Sequence, residues 1–276
     1  MNDARRSESI MPAMKAKPGL ALVIAVLALG AAAAQDSAIF DVVAMRDVKT
    51  RELMTAARIA VFGGPGGVAL LRSMRFKGKS RFPDQDGGMI SGTVEIRILL
   101  PDNFLRIDTA PFGRRLNGVS GNTAINLTER ANGQTTQDPS DAKALLFADR
   151  TQLARMMLGV AAYTSPALPV ALSTRDAPQA MPGPSDPLGI DATGDHGFEG
   201  FVARVVLDAK SRTPGRVVFW DGDRTVLTTA FADRRSTGGM KAPYSIVTTA
   251  GDKIVDEMLF DDVTVNPKLT KADFSR

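Results

Sequence analysis

Alternation of polar and apolar side chains, residue by residue, is the feature that most restricts the fold of this chain. In residues 73–82, SMRFKGKSRF, the side chains of Arg75, Lys77, Lys79 and Arg81 share one parity, and apolar or small side chains share the other. A period of two residues indicates a β-strand with one face in water. Comparable segments lie at residues 89–101, 103–110, 122–129, 189–197, 201–209, 215–222, 224–235, 244–251 and 253–267. The chain is therefore predicted to consist largely of β-strands, about nine to ten in number.

Two segments have helical periodicity instead. Residues 41–62 place apolar side chains at three- and four-residue steps, and the glycines and proline of residues 63–65 are predicted to end this helix. Residues 68–74 can add one further turn. Residues 140–163 are predicted to form the second helix, with Ser140 as its N-cap. Because the strands are grouped rather than alternating with helices, the pattern indicates an α+β fold with an antiparallel sheet.

The connections between the predicted elements differ in kind. The first four strands, between residues 73 and 129, are predicted to form an antiparallel meander in which residues 113–122, GRRLNGVSGN, are a connection. Residues 165–187 contain six prolines and are predicted to be an irregular loop. Such a loop is either a lid over a ligand or a surface excursion, and the sequence leaves both interpretations open.

The N-terminal segment has the features of a secretory signal peptide. Residues 19–34 are an uncharged apolar run that follows Lys15 and Lys17 and ends in an A-x-A motif before Gln35. The alternative is a membrane anchor, but a spanning helix needs about 20 apolar residues, and this run is shorter. We therefore predict cleavage before Gln35, export to the periplasm and a single mature domain over residues 35–276. Translation starts at Met1, Met11 or Met14.

Composition excludes several kinds of chemistry. The chain has no cysteine, so a disulfide, a thiolate metal site and a lipid-attachment cysteine are impossible. His196 is the only histidine, and it lies in a GDHG stretch where a polar turn is expected. The glycines of residues 63–67 follow a helix and precede a strand, which is the reverse of the order in a phosphate-binding loop. We therefore expect no catalytic constellation, no metal site and no cofactor.

The charge of the mature chain argues against a nucleic-acid partner. The signal segment holds four of the 34 basic and two of the 30 acidic residues, which leaves 30 and 28, a net charge of +2. A dedicated nucleic-acid-binding protein carries a strongly basic face instead.

The order of the elements resembles the LolA/LolB-like family of periplasmic lipoprotein-carrier folds, and in particular exported proteins described as outer membrane lipoprotein-sorting proteins. The resemblance spans most of residues 41–274. It is carried by the stretches VFGGPGG, LLRSMRFKGKSR, EIRILLPDNFLRID, LARMMLG and LDAKSRTPGRVVF, and by the closing section from APYSIVTT to FDDVTVNPKLTKADF. The resemblance implies a strongly curved antiparallel sheet, an unclosed half-barrel, with the two main helices across its concave face.

The resemblance also implies an apolar cavity between sheet and helices that accepts a lipid or an acyl chain. The candidate lining residues are the apolar parity of the strands and the stripe of the second helix: Phe76, Ile96, Ile98, Leu105, Ile107, Val205, Val218, Trp220, Leu153, Met156 and Met157. The same patterning is produced by a solid core without a cavity, and the sequence leaves that alternative open. The basic residues and terminal segment that the carrier family uses do not align with this chain, so none is assigned here.

Two hypotheses for the function follow. The first is a periplasmic carrier or binding protein for a lipid or a lipid-modified partner, without covalent chemistry. The second is an envelope protein-interaction or sensor module on the same fold. In that case the strand face formed by Arg75, Lys77, Lys79 and Arg81 docks an acidic protein or a membrane surface.

Overall fold

The structure is a computed structural model. It describes residues 45–64, 66–83, 88–137, 140–165, 167–174, 186–220 and 226–275, all within the compact unit Phe40–Arg276. The predicted signal peptide, the first four residues of the predicted helix 41–62 and most of the proline-rich segment lie outside the described residues.

The described residues contain thirteen strands in one antiparallel sheet that curls into an unclosed half-barrel. The strands are β1 Ser73–Pro83, β2 Met89–Leu99, β3 Asn103–Ala110, β4 Gly113–Ser120, β5 Thr123–Arg130, β6 Thr135–Gln137, β7 Val170–Ser173, β8 Gly189–Gly194, β9 Val202–Leu207, β10 Pro214–Trp220, β11 Val226–Thr237, β12 Met240–Ala250 and β13 Lys253–Val265. Their order in the sheet is β6-β5-β4-β3-β2-β1-β13-β12-β11-β10-β9-β8-β7. The predicted fold class is confirmed, but the number of strands exceeds the nine to ten expected.

Three strands account for most of the difference. Residues 113–120, predicted as a connection, form β4. Despite the glycines around them, Leu116 is buried on the outward face of the sheet and Val119 on the inward face. Residues 170–173 form β7, so the prediction of irregular structure is wrong there, because the four side chains VALS are all buried. The third strand, β6, is only three residues long.

The first helix, α1, is Val48–Phe62 and not 41–62. It begins where the carboxylate of Asp47 accepts a hydrogen bond from the backbone N–H of Thr50 at 2.8 Å, which satisfies one of the free donors of the first turn. Met45 instead forms a parallel bridge with Leu172. The helix ends, as predicted, at Gly63, whose φ of 75° is in the left-handed region. A 3-10 helix at Gly67–Leu70 follows.

The second helix, α2, is Ala142–Ala161. Its N-cap is Asp141, whose side chain accepts from the backbone N–H of Ala144 at 3.2 Å, so the assignment of this role to Ser140 is wrong by one residue. Among the described residues, no helix is long and apolar enough to cross a membrane.

Two guanidinium groups, of the buried Arg58 and the half-buried Arg234, hold the C-terminal end of α2. Arg58 of α1 donates from Nε to the carbonyl of Ala162 at 3.1 Å, and Arg234 of β11 donates to the carbonyls of Gly159 and Val160. Burial lowers the pKa of Arg234 to about 10, so it remains protonated at neutral pH. These cations satisfy the free carbonyls of the helix end and complement its negative pole.

The curl of the sheet depends on close approach between strands at glycines. A Cβ atom on Gly78 of β1 would overlap the backbone carbonyl of Leu259 in β13, and one on Gly92 of β2 would overlap the carbonyl of Thr109 in β3. A side chain at either position would force these strands apart. At Gly78 the pairing of β1 with β13 also shifts register, which increases the local bend.

The two faces of the sheet bury separate apolar clusters. The inward face packs against α1 and α2 and contains the main core. On the outward face, Leu105, Ile107 and Leu116 pack against Phe274 of a C-terminal 3-10 helix, Lys271–Phe274. The C-terminal segment therefore covers part of the outward side.

Candidate functional site

The interface between the inward face and the two helices is the predicted ligand region. Seven of the predicted lining residues are buried in the main core: Phe76, Ile96, Ile98, Val205, Leu153, Met156 and Met157. In β1 the alternation is as predicted, with Met74 and Phe76 buried and Lys77 and Lys79 exposed. The structure therefore brings together the side chains expected on β1, β2, β9 and α2.

Two residues of β3 lie on the opposite face. Leu105 and Ile107 belong to the outward cluster, so their predicted place in the sheet–helix interface is wrong. The inward positions of β3 are held by Phe104, Arg106 and Asp108, as their pairing with inward residues of β2 establishes. Alternating apolar side chains identify the inward face of a strand only where the outward face is exposed to water. At β3 the C-terminal segment covers the outward face, so apolar side chains lie there too.

The predicted face of β10 is also wrong. Val217 and Phe219 lie in the main core, whereas Val218 and Trp220 are half-buried on the other side of the strand. The run VVFW is apolar at every position, so the sequence pattern could not indicate which side chains face inward.

Near the C-terminal end of α2, the side chains of the described residues fill nearly all of the interface. A void near the C-terminal end of α2 has a volume of about 10 Å³ and is lined by Ala154, Met157, Leu158, Tyr163, Thr164, Ser165, Leu168 and Val170. A space of this size holds at most one water molecule. An acyl chain can enter this region only if a helix moves or the side chains rearrange.

Methionine is unusually frequent in this interface. Seven of the twelve methionines of the sequence lie in the main core, namely Met45, Met54, Met74, Met156, Met157, Met240 and Met258. Methionine is unbranched and polarizable, so it can fill irregular spaces and adopt new rotamers at low cost. The packing is thus dense but made of adaptable side chains.

The inward side of β3, β4 and β5 is apolar at Phe104 and Val119 but polar further along the strands, in contrast to the rest of the concave face. Arg106 is buried at its centre and donates from Nε to Asp108 at 2.8 Å, and from Nη1 and Nη2 to Asp256 of β13 at 2.6 and 2.8 Å. Ser80 donates to Asp108 at 3.1 Å. Burial lowers the pKa of Arg106, but Asp256 and Asp108 raise it by more, so the pKa stands well above its usual value.

The N-terminal half of α2 crosses this polar side. The carboxylate of Asp149 is buried and accepts a hydrogen bond from Nδ2 of Asn126 in β5 at 2.9 Å. Burial raises the pKa of Asp149 to about 7, although the hydrogen bond from Asn126 lowers it. On the solvent side, Arg150 donates to Asn122 at 2.6 Å.

The sequence interpretation missed these polar residues because it assigned charged side chains to water. Arg106 and Asp108 are two positions apart on one strand, which places opposite charges on the same face. That spacing was the available signal for an ion pair, although it does not say that the pair is buried.

The predicted basic face of β1 is exposed, but acidic side chains of neighbouring strands surround it. Arg81 lies 3.1 Å from Glu257, Lys77 lies 3.8 Å from Glu95, and Arg75 lies 4.0 Å from Asp262. With both signs interspersed, this surface is not a uniform positive stripe. A docking role for Arg75, Lys77, Lys79 and Arg81 stays a prediction.

His196 lies on the surface beside acidic side chains. Its side chain is 86% exposed, and its Nε2 lies 3.7 Å from the carboxylate of Asp195. Its φ of 46° places it in a turn, as the sequence predicts. Within the part of the chain that the structure describes, no group of three or more His, Cys, Asp or Glu side chains could hold a metal ion.

Comparison with known proteins gives similarity at the level of the fold. No protein-family model and no curated protein matches the sequence. Among solved structures, the chain is similar to a domain described as an outer membrane lipoprotein-sorting protein from Vibrio parahaemolyticus, with 10% identity, 74% of this chain and 89% of that chain covered, and a TM-score of 0.46. It is also similar to a LolA superfamily protein from Nitrosomonas europaea, with 12% identity, coverage of 83% and 99%, and a TM-score of 0.47.

A third structure reaches a higher score. It is a DUF1329 family protein from Desulfovibrio piger, with 8% identity, coverage of 82% of this chain and 97% of that chain, and a TM-score of 0.51. At such identities the similarity concerns the fold alone. The chain is therefore similar in fold to this DUF1329 family protein. Its unclosed half-barrel with two helices agrees with the fold class predicted from the sequence.

Proposed function

We propose that the protein is a periplasmic carrier or binding protein that holds an acyl chain of a lipid or of a lipid-modified partner between the sheet and its two helices. It performs no covalent chemistry. The signal segment before Gln35 exports it, and residues 35–276 act as one binding domain. The partners are lipids or lipoprotein acyl chains rather than nucleic acid.

The observation that carries the proposal is the methionine-rich interface under α1 and α2. A purely structural core needs well-defined rotamers, which leucine, isoleucine and valine supply better than methionine. An interface that must separate and then close around a flexible chain benefits from adaptable side chains. Each methylene of an acyl chain that enters contributes about 0.8 kcal/mol, which offsets the cost of displacing a helix.

The first experiment is native mass spectrometry of Gln35–Arg276, purified from an exporting host without detergent and then extracted for lipid analysis. The proposal expects a stoichiometric adduct that extracts as a phospholipid or fatty acid. A mass that stays free of adduct after incubation with lipids would instead support a permanently filled interface.

A matched pair of variants tests the role of methionine. Met156→Leu with Met157→Leu keeps the apolar volume but reduces adaptability, and such swaps usually cost less than about 1.5 kcal/mol in stability. We expect several-fold lower lipid occupancy at a similar melting temperature. The control is Met89→Leu, because Met89 lies at the start of β2, outside the main core. Equal occupancy in both variants would argue against the proposed role of the interface.

A further inference from the structure

On the polar inward side of β3–β5, Arg115 is paired in charge with Asp108 but forms no short hydrogen bond to a carboxylate of the described residues. Asp108 and Asp256 both receive their short hydrogen bonds from Arg106. The guanidinium of Arg115 in β4 reaches Asp108 only at 3.7 Å, which is longer than a hydrogen bond. Its Nε is buried and has no hydrogen-bond partner among the described residues.

The position of Arg115 is fixed by an aromatic ring. Its guanidinium carbon lies 4.5 Å from the centre of the Phe82 ring, which is buried in β1. Such stacking holds the planar group in one orientation while its edge stays available to a ligand. The side chain remains about one-third exposed, at 36%, so it can be reached from solvent.

Neutral hydrogen-bonding groups lie beside this cation. Thr128 of β5 is directly opposite Arg115, and Asn117 and Asn126 form the neighbouring inward pair of β4 and β5. A guanidinium with nearby hydroxyl and amide groups is a combination that binds phosphate and carboxylate groups. The N-terminal half of α2 crosses the same strands, whereas its C-terminal half lies over the apolar side of the concave face.

We propose that the inward side of β3–β5 binds the anionic head group, phosphate or carboxylate, of an amphiphile, with Arg115 contacting the anion. This inference rests on the proposed function, which places the acyl chain of the same ligand under the helices. The concave face is then divided along α2, with the chain at one end of the helix and the head group at the other.

The test uses three ligands that differ in one part each: 1-lauroyl-glycerol-3-phosphate, 1-lauroyl-glycerol and glycerol 3-phosphate. We expect the phosphate-bearing lipid to bind about tenfold more tightly than the uncharged lipid, because a charge-assisted hydrogen bond is added. Glycerol 3-phosphate alone should bind at least about a hundredfold more weakly, because it lacks the chain. Affinities are measured by isothermal titration calorimetry below the micelle concentration.

Arg115→Gln should abolish the preference for the phosphate-bearing lipid and leave the affinity for 1-lauroyl-glycerol unchanged. Arg115→Lys keeps the charge without the planar fork and should retain part of the preference. The matched control is Arg114→Gln, since Arg114 precedes it on the same strand but points outward and pairs with Glu129 at 2.9 Å. This control should behave as the unaltered protein.

Each alternative outcome is distinguishable. Equal affinity for the two lipids, or equal effects of Arg115→Gln and Arg114→Gln, overturns the head-group inference while leaving the carrier proposal in place. Tight binding of glycerol 3-phosphate identifies a site for free anions and overturns the role of the amphiphile. If neither lipid binds, both proposals are wrong.

Discussion

Burial disfavours the charged form of two ionisable residues of the concave face, but their partners lead to opposite outcomes. Arg106 is held between Asp108 and Asp256, and its charge is stabilised. Asp149 has a neutral amide, Asn126, as its hydrogen-bond partner, so burial raises its pKa to about 7. A buried charge is costly unless an opposite charge compensates it. Asp149 is therefore a residue whose protonation changes near neutral pH.

Stability should depend on Asp149 between about pH 4 and pH 7. In the unfolded chain an aspartate titrates near 3.9, so in this range the folded protein binds more protons than the unfolded one. The free energy of unfolding therefore falls as pH rises, by at most about 1.4 kcal/mol per pH unit from this group, and levels off above pH 7. Asp149→Asn should remove this slope and be about 1–3 kcal/mol more stable at pH 8.

Urea unfolding of both proteins between pH 5 and pH 8 measures this difference. The range avoids the opposite contribution of Asp47, for which burial raises the pKa but hydrogen bonds from Thr174 and Thr50 lower it by more. That carboxylate stabilises the fold above its ordinary pKa, and the contribution is lost only in acid. Parallel curves for the two proteins would show that Asp149 is not the titrating group.

Residue-level prediction succeeded where one face of a strand is wet and failed where both faces are covered. The alternation around Phe76 predicted its burial because Lys77 and Arg75 face water. The sequence could not show that Arg106 is buried, because whether a charge is inward depends on Asp256, 150 positions further along the chain. Long-range partners of this kind leave no local pattern.

At the level of elements, α2 is buried at its C-terminal end and exposed at its N-terminal end. Its last six residues are all buried, whereas its first three are exposed. Gly159 lies in the packed part, where a Cβ atom would overlap the ring of the buried Phe231. Glycine is retained there although it disfavours a helix, because only glycine lets the helix approach β11.

Gly159→Ala should therefore destabilise the protein. On an exposed helix this change adds up to about 1 kcal/mol of stability. Here the overlap with Phe231 should outweigh that gain, for a net loss of about 1–3 kcal/mol in urea unfolding. The added substitution Phe231→Leu makes room and should recover part of the loss in a double-mutant cycle. A stabilised single variant would mean that Phe231 moves aside freely.

Element boundaries were predictable where a cap is specified locally. Gly63 ends α1 as expected, because its left-handed conformation favours glycine. The start of α2 was missed by one residue because Ser140 and Asp141 are both suitable caps, and only the geometry selects Asp141. Strand β4 was missed because its glycines and asparagine are also turn residues, and its role depends on pairing with β3 and β5.

For the whole molecule, one way to open the interface for an acyl chain is movement of the N-terminal half of α2 away from the sheet. The absence of native cysteine allows Asn126→Cys and Asp149→Cys to be joined by a short cleavable thiol crosslinker, since their polar atoms are 2.9 Å apart. Crosslinking should reduce uptake of 1-lauroyl-glycerol at least tenfold, and cleavage should restore it. The uncrosslinked double variant is the control. Unchanged uptake after crosslinking would mean that the chain enters without movement of this half of α2.

The general architecture was predictable because the local periodicity of the sequence indicates which segments are strands and which are helices. The sequence could not predict whether the space under the helices is hollow, because a filled interface and an empty one have the same apolar pattern. The volume of about 10 Å³ beside Met157 depends on how the side chains of several elements interlock.

The unclosed sheet leaves two outer strands, and each is protected from pairing with another molecule. At β7, the backbone N–H of Arg46 donates to the carbonyl of Leu172 at 3.0 Å, so part of that edge is already occupied. At the other end, β6 consists of three exposed polar residues, Thr135–Gln137. Short, polar or covered edges disfavour the strand addition that leads to fibrils. The half-barrel therefore exposes little free strand edge at which a second molecule could add.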